Sequence, residues 1–173
     1  VNLKKAEALS KKMNNDNEEE KLIADLVKLG FSVNESIKIL KNYKLSIGDI
    51  IKNDIYILTD IIDFEKIDNI YLKQNPFNDD LRLENIIIYC IKKICYRTGN
   101  TMVSEESLYL EFTKYYKNEF NSSNLNLYVQ NLIEQYKIYR FDNFLIVSDF
   151  YDCEKAIADQ MRIYNKTGNK EKT

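Results

Sequence analysis

Apolar residues recur every three or four positions along most of the chain, which is the spacing of an amphipathic helix. In the first half this pattern predicts short helices at about residues 4–13, 18–29, 33–43, 46–53 and 64–72. In the second half it predicts helices at about residues 81–97, 104–117, 122–136 and 149–164. The runs Ile138–Phe141 and Phe144–Val147 instead carry the β-branched and aromatic residues of strands, and their two-residue link predicts a β-hairpin. The chain is therefore expected to be mainly α-helical.

The segment Leu29-Gly30-Phe31-Ser32 joins two of the predicted helices. Gly30 is a natural C-terminal residue for a helix, because glycine adopts a positive φ without a steric penalty. Ser32 is a favourable N-cap, and Glu35 three residues later completes a capping-box pattern. The sequence therefore predicts a tight turn between two helices at this point.

The only proline lies in Asn75-Pro76, and Asn-Pro is a strong turn signal. We place a first region at residues 1–75, a second at residues 76–164, and a polar tail that we expect to be disordered at residues 165–173. The second region has the order helix, short extended piece, helix, helix, β-hairpin. That order is typical of a winged helix, although it does not by itself indicate a DNA-reading role.

Composition removes several classes of active site. The chain has no His, which excludes histidine bases and Ser-His-Asp triads, and its four glycines are too far apart for a phosphate loop. The three cysteines lack the paired spacing of a zinc site. The acidic residues fall near predicted helix starts, where they favour the helix dipole. We therefore predict no catalytic residue, no metal site, no cofactor and no small-molecule substrate for this chain.

Two further features concern the partners and location of the protein. Its net charge of −2, from 25 basic and 27 acidic residues, gives no overall support for a nucleic-acid partner, although a local basic patch would suffice. No apolar run approaches the roughly 18 residues that a membrane-spanning helix needs. The N-terminus has no signal-peptide pattern, and a cytoplasmic location without a membrane partner is the default expectation.

Several segments together resemble a known family in their order along the chain. They are Val1-Asn2-Leu3-Lys4-Lys5-Ala6-Glu7-Ala8-Leu9, Leu29-Gly30-Phe31-Ser32, Asn53-Asp54-Ile55-Tyr56-Ile57-Leu58, the stretch 61–70, Asp79-Asp80-Leu81-Arg82, and Tyr151, Glu154 and Ala158. The family is the RecD-like DNA helicases with a long N-terminal extension, often labelled exodeoxyribonuclease V alpha subunit. The resemblance covers residues 1 to about 164. The chain departs from the family pattern at Ile55, where proline is expected, and at Ile61 and Asp63, where hairpin glycines are expected.

The resemblance implies tandem helix-hairpin-helix units followed by a winged-helix-like module with a small β-hairpin. In the family an ATP-driven motor follows this region, and its phosphate loop has the form Gly-x-x-x-x-Gly-Lys-Thr, which this chain lacks. We therefore expect a non-catalytic N-terminal region of a helicase, with ATP and Mg²⁺ belonging to the motor of the parent protein.

By the same resemblance, the partner would be duplex or forked DNA, held without sequence preference, together with the motor domains. The candidate phosphate-binding residues are Gly30, Phe31, Ser32, Lys38 and Lys41, with a second group at Asn2, Lys4 and Lys5. The candidate contacts in the winged-helix region are Asn124, Asn126, Gln130, Lys137 and Arg140. The alternative is a protein-interaction scaffold that docks on the motor without touching DNA, which the near-zero net charge and the missing hairpin glycines favour.

Overall fold

The computed structural model describes residues 17–76, 80–116 and 122–168. The chain divides into two compact units, Val1–Phe77 and Asn78–Thr173. The predicted helix at residues 4–13 and the candidate group Asn2, Lys4 and Lys5 lie outside the described residues. Within the described ranges, no helix is both long and apolar enough to cross a bilayer.

The described part of the first unit is entirely helical apart from its turns. It contains α1 (17–29), α2 (Val33–Tyr43), α3 (Ile47–Asn53), a 3₁₀ helix (Ile55–Asp60) and α4 (Phe64–Gln74). The four helices predicted for this stretch are confirmed. The segment after α3, for which we expected one turn or irregular structure, forms the 3₁₀ helix.

Tyr56 occupies the core of the first unit. Its ring centroid lies 5.1 Å from that of Tyr71 and 5.7 Å from that of Phe64. Its hydroxyl donates to the buried carboxylate Oδ1 of Asp68 at 2.7 Å, so the polar end of the side chain is satisfied inside the core. These contacts hold the 3₁₀ helix against α4 and thereby position the turn at residues 61–63.

The second unit combines helices with a small sheet, and its elements follow the predicted order. They are α5 (Asp80–Thr98), β1 (Val103–Ser104), α6 (Glu105–Phe112), α7 (Ser122–Glu134), β2 (Ile138–Phe141), β3 (Phe144–Val147) and α8 (Ser148–Gly168). The strands form an antiparallel sheet in the order β1-β3-β2. β2 and β3 form the predicted hairpin, and β1 adds a third strand to it.

The long helix α5 is the centre of the second unit. It packs against α6, α7, β1 and β3, and buries most of its apolar side chains. The buried apolar set is Leu83, Ile86, Ile87, Cys90, Ile91, Ile94 and Cys95. The prediction of a central, largely buried helix is confirmed. The physical reason is that a helix with apolar residues on most sides must be surrounded by other elements.

The ends of α6 and α8 differ from the prediction. α6 ends at Phe112 instead of near residue 117, because the amides of Lys114 and Tyr115 bond three residues back and tighten the chain into turns. α8 continues to Gly168, four residues beyond its predicted end at about residue 164, so the first four residues of the expected tail are helical. Residues 169–173 lie outside the described part of the chain.

α7 ends at Glu134, two residues before its predicted end, and a non-glycine residue in the left-handed region follows it. Tyr136 has φ 57°, and its amide donates to Ile133 O while the amide of Lys137 donates to Leu132 O. These two bonds form a Schellman motif, in which the left-handed residue is usually glycine. The apolar pattern of the sequence continues through Tyr136, so it does not indicate that the helix ends at Glu134.

Candidate functional site

Gly30 ends α1 in a Schellman motif. Its φ is +115°, its amide donates to Val27 O at 3.0 Å, and the amide of Phe31 donates to Leu26 O at 3.2 Å. Phe31 and Leu26, the two positions whose side chains commonly meet in this motif, are both buried. The predicted helix stop is confirmed. The amides of Gly30 and Phe31 are consequently occupied within the protein.

α2 begins with the predicted capping box. The amide of Glu35 donates to Ser32 Oγ at 3.3 Å, and the amide of Ser32 donates to Glu35 Oε2 at 2.6 Å. The same Glu35 oxygen lies 2.5 Å from Lys66 Nζ on α4. The hydrogen bond from Lys66, followed by that from the Ser32 amide, lowers the pKa of Glu35 to about 2. The helix start therefore carries a carboxylate that remains ionised and is neutralised by a lysine.

Two further amides at this helix start, those of Val33 and Asn34, have no acceptor among the described residues. Both residues are exposed, and the first amides of a helix point outward along its axis. Lys38 follows one turn later, and its ammonium donates to Ile61 O at 2.7 Å. Lys41 is exposed and takes part in none of the ion pairs of the described residues. The structure thus brings Gly30, Phe31, Ser32 and Lys38 together at one end of α2.

A second turn, Ile61-Ile62-Asp63, faces the start of α2 across an open groove. The groove is lined by Asn34, Glu35, Lys38, Ile61, Ile62 and Asp63. The amides of Ile61 and Ile62 both donate to Leu58 O, at 3.1 and 2.9 Å, and φ is −129° at Ile61 and −57° at Asp63. Because this turn has no positive φ, it forms without the glycines that the family pattern led us to expect there.

The groove has no excess positive charge. Glu35 and Asp63 contribute two carboxylates to its lining, against one ammonium from Lys38, and Lys66 stands beside Glu35. An anion bound here would rely on the exposed amides and the helix dipole as much as on lysine charge.

The candidate cations of the second unit are engaged within that unit. Lys137 Nζ lies 3.2 Å from Glu84 Oε2, and Arg140 Nε lies 2.9 Å from Glu105 Oε1. Gln130 Nε2 donates to Glu134 Oε1 at 3.3 Å. Asn124 and Asn126 are exposed on α7, and Asn126 lies in a groove that also holds Glu105 and Glu106. This surface therefore has paired cations and exposed carboxylates.

Sequence reasoning missed one contact at this helix start, that of Lys66 with Glu35. Lys66 lies 31 residues from Glu35 and no local motif connects the two. The exposed amides of Val33 and Asn34 could have been found, because a capping box locates the first two residues of the helix that follows it.

One family model matches the part of the chain that holds this groove. The sequence model of one family, described as the HHH (helix-hairpin-helix) domain of the ATP-dependent RecD2 DNA helicase, matches residues 15–102, about half of the chain. The match includes α1 to α4 with both turns and extends through α5. No curated protein sequence matches the chain.

Proposed function

Because the chain belongs to the helix-hairpin-helix domain family of ATP-dependent RecD2 DNA helicases, we propose that it binds the sugar-phosphate backbone of duplex or forked DNA for such a helicase. The observation that carries this proposal is the start of α2. There, the amides of two exposed residues, Val33 and Asn34, have no acceptor among the described residues and lie about one helical turn before Lys38 in the chain.

In this proposal a phosphate oxygen accepts hydrogen bonds from the amides of Val33 and Asn34. The partial positive charge of the α2 dipole favours the anion at the same place. Lys38 adds one ammonium, and Lys41, three residues further along the same helix, adds a second near the path of the backbone. Because no base edge is contacted, the binding has no sequence preference.

The charge of the groove sets the expected strength of this binding. Asp63 opposes a phosphate, while the charge of Glu35 is balanced by Lys66. The described part of the first unit has eight lysines and eleven carboxylates. We therefore expect weak binding that is sensitive to salt, as befits a region that holds DNA while a motor moves along it.

The test is the salt dependence of binding to a fluorescent fork, measured by anisotropy between roughly 50 and 200 mM salt. Removing one cation that neutralises a phosphate should reduce the slope of log affinity against log salt by about 0.9. We expect this reduction for Lys38→Gln and for Lys41→Gln. Lys52→Gln on α3 is the matched control, because it removes one exposed lysine outside the groove. No measurable fork binding by the unsubstituted chain, or an equal reduction of the salt slope in the control, would contradict the proposal.

A second candidate function, docking on the helicase motor without DNA contact, is favoured by α8. Ile157, Met161 and Tyr164 recur on one face of this helix and are 57%, 62% and 78% exposed. In the parent helicase, Lys38→Glu together with Lys41→Glu would leave DNA-stimulated ATP hydrolysis unchanged if the region only docks. Ile157→Asp would then be the variant that lowers it.

A further inference from the structure

Three cations surround one buried carboxylate in the second unit. Glu111 on α6 has a side chain only 3% exposed, and its Oε2 lies 2.6 Å from Lys114 Nζ and 3.3 Å from Arg97 Nη1. Its Oε1 lies 3.5 Å from Lys93 Nζ. We call Glu111, Lys93, Arg97 and Lys114 the Glu111 cluster.

The Glu111 cluster carries two positive charges that its own carboxylate does not neutralise. The hydrogen bond from Lys114 is the largest cause that lowers the pKa of Glu111, so this carboxylate is ionised at neutral pH. The other ion pairs described in the unit each join one cation to one carboxylate. They are Lys92–Asp149, Lys137–Glu84, Arg140–Glu105 and Arg162–Asp159. A local excess of two charges therefore stands out in a protein whose net charge is −2.

Two of the three cations have the exposure that a ligand site needs. Arg97 and Lys114 are 58% and 59% exposed, and Arg97 uses Nη1 for Glu111, which leaves further guanidinium donors. Lys93 is more enclosed, because its ammonium donates to Tyr115 Oη and lies 5.0 Å from the centre of the Tyr115 ring. Glu111 thus holds an arginine fork and a lysine ammonium next to each other at the junction of α5 and α6.

We propose that the Glu111 cluster is a binding site for backbone phosphates of DNA, formed by Arg97 and Lys114 and positioned by Glu111. A guanidinium fork beside an ammonium matches the charge and geometry of a phosphate oxygen pair. The site lies at the α5–α6 junction, whereas the cations predicted for the hairpin and for the end of α7 are neutralised by Glu84 and Glu105. The proposal rests on the proposed function for the identity of the ligand as DNA.

The most discriminating variant is Glu111→Gln. Glutamine has nearly the same shape and still accepts a hydrogen bond from Lys114, but it raises the excess charge of the cluster from two to three. We expect tighter fork binding at low salt and a steeper salt slope. A carboxylate that serves only to stabilise the fold predicts no gain in affinity.

Two variants with exposed side chains keep the test decisive if Glu111→Gln folds poorly. Arg97→Gln and Lys114→Gln should each lower the salt slope by about 0.9 and weaken fork binding at low salt. Lys92→Gln is the matched control, because it removes a lysine charge that Asp149 already neutralises in the same unit. Its slope should equal that of the parent chain.

The outcomes separate this inference from the proposed function. A reduced slope for Lys38→Gln with unchanged slopes for Arg97→Gln and Lys114→Gln would overturn the Glu111 site and keep the groove on α2. The reverse result would support the Glu111 site and overturn the groove. If the unsubstituted chain did not bind the fork, both the groove and the Glu111 site would be overturned. Inorganic phosphate tests the other source of the ligand. If it raised the thermal midpoint of the unsubstituted chain more than that of Arg97→Gln, while the two had equal salt slopes for fork binding, the cluster would bind free phosphate. That result would overturn the DNA assignment.

Discussion

Replacing Gly30 with alanine tests whether the first turn is a helix cap or a phosphate cradle. Gly30 has φ +115°, a conformation that L-residues rarely adopt. The added Cβ would lie 3.5 Å from Ile70 Cγ1 and 3.7 Å from Ile70 Cδ1, which is ordinary van der Waals contact. The cost is therefore conformational, and we expect a loss of about 1–2 kcal/mol in the free energy of unfolding.

Gly48→Ala is the matched control in the same unit. Gly48 lies inside α3, and an added Cβ would meet nothing within 4 Å. Alanine is more favourable than glycine in a helix by about 0.8–1.0 kcal/mol, so this variant should gain somewhat less than that near the end of a short helix. The two variants should differ by about 2 kcal/mol, or roughly 4–8 °C in thermal midpoint for a chain of this size.

Urea and thermal unfolding followed by far-ultraviolet circular dichroism measure this difference, since the chain has no tryptophan for fluorescence. Equal stability of Gly30→Ala and the parent chain, or a larger loss for Gly48→Ala, would refute the cap. Folded Gly30→Ala should also keep its fork affinity and salt slope, because the amides of Gly30 and Phe31 already donate to Val27 and Leu26. A lower fork affinity of the folded variant would instead support Gly30 as a phosphate-binding residue.

Two further predictions concern titrating groups. Glu35→Gln should lower the free energy of unfolding by about 1 kcal/mol at neutral pH, because the pair with Lys66 is partly exposed. Since the pKa of Glu35 is lowered from 4.5 to about 2, this stabilisation is present above about pH 4.5 and disappears as the pH falls toward 2, so acid titrations of variant and parent should converge there. A thiol reagent should modify only the exposed Cys153 in the native protein and all three cysteines in urea. The reason is that burial raises the pKa of Cys90 to about 12 and also raises that of Cys95. A rapid change in reagent absorbance that corresponds to a second thiol of the native protein would contradict this.

Much of the local structure was predictable from the sequence alone. The capping box at Ser32 and Glu35, the stop at Gly30 and the burial of α5 all follow from residues within a few positions of one another. Such signals depend on hydrogen bonds and apolar periodicity inside one element, so they can be recognised without knowing which elements pack beside it. The β2–β3 hairpin belongs to the same class, because its two-residue link sets the pairing.

Two turns show where local rules were insufficient. The family pattern led us to expect glycine at Ile61 and Asp63, yet the end of the 3₁₀ helix forms this turn with negative φ. Tyr136 takes a left-handed conformation that its residue type does not indicate. At Ile61 and Asp63 the negative φ values suit the residues present and only the family pattern fails, whereas Tyr136 adopts a conformation that its residue type disfavours.

The sequence by itself determined the α-helices of the described residues, their order, the hairpin and the family to which the chain belongs. The tertiary structure alone decided which charges are neutralised. Lys66 meets Glu35, Lys137 meets Glu84, and three cations meet Glu111 only because the helices that carry them pack side by side. Charge interactions act across space within about a Debye length, irrespective of distance along the chain. A count of basic and acidic residues therefore could not locate the two surfaces at which we propose that DNA binds.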